Sequence, residues 1–119
     1  MKSFAPVLLA CMTALLLASS GCNYVKPVMY VNIENRSGHP LENLELKYPT
    51  GSFGLPELRD DQTHRHMVPI GTPCKFGISF EDQTGKAYTR DFDFGAKCPA
   101  EIGFAVGADM GISQRDVRP

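Results

Sequence analysis

His64 and His66 stand two residues apart. On a strand that spacing puts both imidazoles on one face, as two ligands of one metal must be. His39, Asp60 and Asp61 could join them in space. No third ligand follows at a diagnostic spacing, however. The favoured reading is therefore the solvent face of a polar edge strand, which needs such side chains to discourage pairing with other chains. Such a patch would still respond to pH through histidine protonation.

Asp91 and Asp93 also share a strand face, opposite Tyr88, Phe92 and Phe94. Paired carboxylates can work as acid and base or hold calcium. Neither this pair nor Asp60-Asp61 lies in a glycine-containing loop with an acid at every second position. Alternating acids on an outward face are ordinarily solvated. Thr50-Gly51-Ser52-Phe53-Gly54 sets a serine between glycines, but the nucleophile elbow also requires a strand-to-helix turn. No nucleophile, base and orienting group assemble from these residues. The expectation is a protein that is not an enzyme and uses no cofactor. Gly103, Gly107 and Gly111 recur every fourth residue. Their polar flanks favour bends or close backbone approaches over the packing face of a membrane helix.

The amino terminus carries a different signal. Lys2 gives a short basic start, and an apolar stretch follows from Phe4 to Ala18. The stretch ends in Leu15-Leu16-Leu17-Ala18-Ser19-Ser20-Gly21-Cys22. It is shorter than the about 20 apolar residues of a spanning helix. Basic start, apolar run and small residues come in the order of a secretory signal. Residues 1–22 resemble a bacterial lipoprotein signal peptide. Ser20 and Gly21 fit that family, while Ser19 stands where it prefers an aliphatic residue.

The resemblance implies removal of residues 1–21, a lipid on the Cys22 thiol and acylation of the new amino terminus, with palmitate among the chains. Asn23 follows Cys22, and the absence of aspartate there implies the outer membrane. Cys11 is rejected as the attachment point because it would strand Leu15-Leu16-Leu17 at the mature terminus. The implied export places Cys74 and Cys98 in an oxidising compartment, where two thiols in a small domain usually pair. A Cys74–Cys98 disulfide is expected; buried free thiols or a metal pair are the alternatives. Asn35-Arg36-Ser37 matches a glycosylation sequon, which means little behind a bacterial leader.

Without its leader the chain carries a net charge of about −2, which predicts no basic surface for nucleic acid or anionic lipid. The length suits one small domain. The remaining sequence reads as strands throughout. Met29, Val31 and Ile33 alternate with polar positions, and Leu44, Leu46 and Tyr48 do the same. These two segments look like a hairpin joined by the turn-rich Asn35–Pro40 stretch. A short strand fits around Ser52–Leu55, and an exposed one runs from Thr63 to Val68. Cys74–Glu81 is the clearest strand, and Asp82–Gly85 turns it back into Lys86–Phe94. Arg90 falls on the aromatic side, at the core edge or with its stem over the rings. Glu101–Ala108 completes the set.

The expected architecture is all-β: a small antiparallel sandwich, immunoglobulin-like in the loose sense, with a small closed barrel as the alternative. The domain plan is a signal peptide at 1–21, a lipid-anchored tether at 22–27, one sandwich at 28–114 and a frayed tail at 115–119. The tether reaches only about 20 Å when extended. The expected function is a non-enzymatic protein-binding or envelope scaffold module on the periplasmic face of the outer membrane. Residues 49–62 are taken as its contact loop. Alternatives are an immunity or inhibitor lipoprotein, and a metal- or small-ligand-binding protein using His64 and His66.

Overall fold

A computed structural model of the chain describes residues 27–119. Cys11, Cys22 and the signal peptide lie outside the described residues. The described chain forms eight strands in order: β1 Val28–Asn35, β2 Leu41–Tyr48, β3 Gly51–Leu58, β4 Thr63–Pro69, β5 Lys75–Glu81, β6 Ala87–Asp93, β7 Glu101–Val106 and β8 Ile112–Arg118. They build two four-stranded sheets, ordered β4-β1-β7-β8 and β3-β2-β5-β6. The sheets face each other as a sandwich, and no closed barrel forms. Among the described residues no helix is long and apolar enough to cross a membrane.

Period-two alternation gives each sheet one apolar face, and burial of those faces against each other drives the pairing of layers. Met29, Val31 and Ile33 of β1 meet Leu41, Leu44 and Leu46 of β2 in the core, with Phe76, Ile78 and Phe80 of β5 and Ile102, Phe104 and Val106 of β7. Each such side chain contributes about 1.5–3 kcal/mol by leaving water. In β2 the alternation slips, because Leu41 and Leu44 are both buried although three apart. Asn43 resolves the conflict by adopting a φ of 50°, and the β2–β5 register shifts between Glu42 and Glu45. This is a β-bulge, which realigns the side chains after it.

Three expectations need correction. First, β1 and β2 are not a hairpin. They lie in different sheets, because the Asn35–Pro40 connection crosses the sandwich instead of reversing within a layer. β1 pairs instead with β4, antiparallel, and with β7, parallel. Second, β3 runs from Gly51 to Leu58 and is longer than the Ser52–Leu55 strand expected. It is an edge strand, where Gly54 and Pro56 are tolerated. Third, residues 115–118 are not a frayed tail. They belong to β8, which pairs along β7 from Ile112↔Val106 to Arg118↔Glu101. Their polar side chains lie on exposed positions of an edge strand, so the strand carries no core alternation.

The two open sides of the sandwich are plugged differently. Between β6 and β8, Arg90 Nη1 donates to the Ile112 carbonyl while its guanidinium lies 4.9 Å from the Phe92 ring centroid. Its stem therefore covers the aromatics and its head ties the two edges together. Between β3 and β4 the plug is made of rings.

Candidate functional site

His64 and His66 form that second plug. Sequence alternation had assigned them to the solvent face, but the register pairs Ile33 with His64 and Val31 with His66. Directly paired residues share a face, so the imidazoles point inward beside those core residues. Phe53 of β3 meets them from the opposite sheet. Its ring centroid is 3.9 Å from that of His66 and 4.9 Å from that of His64, both stacked. The two imidazole centroids are 6.0 Å apart. His64 Nε2 is buried and finds no hydrogen-bond partner among the described residues. Burial, with a smaller contribution from His66, lowers the His64 pKa below its ordinary value of 6.5. The pair is half-buried and packs as an aromatic wedge. His39 and Asp60 lie elsewhere, in adjoining turns where Gly38 N donates to Asp60 Oδ1 at 2.9 Å. Among the described residues no three His, Cys, Asp or Glu side chains are placed to hold one metal ion.

The remaining chemical candidates have structural employment. Asp91 lies so close over Gly77 that a Cβ there would come within 2.9 Å of its Oδ1. Asp93 Oδ1 accepts from Gly95 N at 2.8 Å, and its Oδ2 lies 3.9 Å from Lys75 Nζ. Ser52 is exposed on edge strand β3, opposite Lys47. Cys74 and Cys98 are bonded, with Cα atoms 5.3 Å apart and a sequence separation of 24. The bond fastens the start of β5 to the β6–β7 connection.

One pivotal residue escaped the sequence reading. Asn35, within the sequon-like triplet, is fully buried. Its Nδ2 donates to the carbonyls of His39 at 2.8 Å and Leu58 at 2.9 Å. Its Oδ1 accepts from Ser37 N at 3.0 Å and Ser37 Oγ at 2.7 Å. One amide thus satisfies three backbone groups at the point where β1 crosses to β2. Asn-x-Ser followed by Gly is a turn signal in its own right, and that signal was available in the sequence.

Strand directions divide the connections into two poles. The chain enters β1 at the pole formed by the 49–50, 70–74 and 94–100 connections. The opposite pole is formed by the 36–40, 59–62, 82–86 and 107–111 connections. There His39, Asp82, Thr84, Tyr88 and Met110 line a shallow depression of about 470 Å³. Asp82 organises its rim. Its Oδ1 accepts from Thr84 Oγ1 at 2.6 Å, Thr84 N at 2.8 Å and Lys86 N at 3.0 Å. These bonds, that of the Thr84 hydroxyl foremost, hold its pKa below the ordinary carboxylate value.

No family model matches the chain, and no curated protein matches it. An NMR structure of a protein from Eubacterium rectale is similar, with a TM-score of 0.55 over 79% of this chain and 92% of that one. The two sequences are 11% identical, so the likeness is one of fold.

Proposed function

We propose that the protein is a lipid-anchored module on the periplasmic face of the outer membrane, where it binds another protein without catalysing a reaction. The lipobox-like Ser-Ser-Gly-Cys22 supplies the anchor in this reading. The observation that carries it is the polarity of the domain. The chain enters β1 at one pole, so an anchor at Cys22 turns the other pole outward, with its four connections and its shallow depression. Loops held at one end of a rigid sandwich are a common recognition surface. Residues 49–62 do not serve as a single contact loop, because most of them form β3, and the turns that flank it lie at opposite poles. The contact is placed instead on the outward pole.

The test is crosslinking of the tagged, membrane-bound protein, followed by mass spectrometry. Gln83→Arg with Ala108→Arg places two bulky cations in the depression at exposed positions. One dominant partner, lost in this variant and in Cys22→Ala, supports the reading. A partner retained by the Arg variant overturns the placement, and no partner above background overturns the binding role.

A further inference from the structure

The two poles differ in charge. Among the described residues, the 36–40, 59–62, 82–86 and 107–111 connections carry four carboxylates, Asp60, Asp61, Asp82 and Asp109, beside the cations Arg36, Arg59 and Lys86. The 49–50, 70–74 and 94–100 connections carry no carboxylate, and Lys97 is their one formal charge. Exposed Pro73 and Ala96 and half-buried Pro49 and Ile70 give this pole its character. Asp93 and Glu101 flank it, but both are engaged. Asp93 caps Gly95 and faces Lys75. Glu101 accepts from Asn32 Nδ2 at 2.9 Å and lies 3.7 Å from both Arg65 and Arg118.

An apolar flank continues from this pole up the outer face of the β4-β1 pair. Register sets Val28 opposite Pro69 and Tyr30 opposite Met67. Val28, Tyr30 and Met67 are 36%, 38% and 54% exposed. The Arg65 guanidinium covers the Tyr30 ring at 4.0 Å. An aromatic ring with a cation beside it suits the boundary between apolar and wet surroundings.

We infer that this pole and its flank rest on the bilayer surface, with the acid-bearing pole directed away from it. The inference rests on the lipid anchor at Cys22 proposed above. Only residues 22–27 separate that anchor from β1, a reach of about 20 Å when extended. So short a link keeps the entry pole at headgroup height, where each carboxylate facing an anionic surface is repelled and each apolar side chain gains from partial burial. A net charge averaged over the chain hides that the carboxylates of the connections all lie at one pole.

Full-length protein is produced in its lipidated form and reconstituted into phosphatidylethanolamine–phosphatidylglycerol vesicles containing brominated lipid. A fluorophore is placed at Thr72→Cys on the entry pole or at Gln83→Cys on the opposite pole, with the Cys74–Cys98 bond intact. Quenching by the brominated lipid should be severalfold stronger at position 72. Adding Ala96→Glu and Lys97→Glu, both at exposed positions, should bring it down to the level at position 83 without changing vesicle flotation. Equal quenching at both positions in floating protein overturns the orientation and leaves the anchor standing. Failure to float, with no acyl mass on the Cys22 peptide, overturns the anchor and the orientation together. A photocrosslinker at position 72 that captures a protein in native membranes instead of lipid overturns the assignment of this pole to the bilayer.

Discussion

Asn35 ties the 36–40 connection to the end of β3 through its side-chain amide. Its amide is buried and bonded on both sides, and removing it strands the Leu58 carbonyl and the Ser37 N–H, while Ser37 Oγ still donates to the His39 carbonyl at 2.8 Å. Asn35→Ala should destabilise the domain by about 2–4 kcal/mol, read as a shift of the urea midpoint. Asn35→Asp should also destabilise, because a carboxylate cannot donate to two carbonyls. A substitution that left the midpoint unchanged would show that water takes over those bonds. The ring plug sets a pH dependence. His64 binds its proton less readily in the fold than in the unfolded chain. Stability is therefore complete above the ordinary imidazole value of 6.5. It falls as pH drops through the interval below that value, and levels once pH is under the lowered native value. His64→Phe keeps a ring against Phe53 and should flatten this slope in denaturation curves recorded on either side of that interval. Both residues show what one sequence can and cannot disclose. The Asn-x-Ser-Gly turn was readable as local chemistry. The inward histidines were not, because alternation tells which side chains share a face and leaves open which sheet that face meets.

Elements behaved according to how much apolar pattern they carry. β1, β5 and β7 bury every second residue at the centre of the sandwich, and their alternation located them. β8 buries Ile112 alone and is otherwise exposed, so no periodic signal marked it. β3 was foreshortened because Gly54 and Pro56 read as breakers, although an edge strand accommodates both. The hairpin expected between β1 and β2 failed for a related reason. Two alternating segments joined by a turn imply proximity, but a sandwich offers the second strand a place in either layer. Two fasteners act at this scale. The Cys74–Cys98 bond joins positions 24 apart in sequence. Replacing both cysteines by alanine should cost about 3 kcal/mol, measured as a lowered melting temperature. Arg90→Ala should cost about 1–2 kcal/mol by freeing the β6 edge from the Ile112 carbonyl and uncovering Phe92. Faster amide exchange confined to β6 and β8 would place the loss where the contact is.

At the scale of the whole molecule, the order of strands has a meaning in time as well as in space. β1 is the first strand to be made and lies in the middle of its sheet, between β4 and β7. Its parallel partner begins only at Glu101. A chain that emerges amino terminus first, from a ribosome or a translocation pore, holds its leading strand unpaired on that side until nearly all of the sequence has followed. Pairing so distant in sequence also forms slowly compared with local structure. The sandwich thus stays open during emergence and closes only when the chain is almost complete. A half-delivered chain remains threadable, and the fold itself supplies the delay.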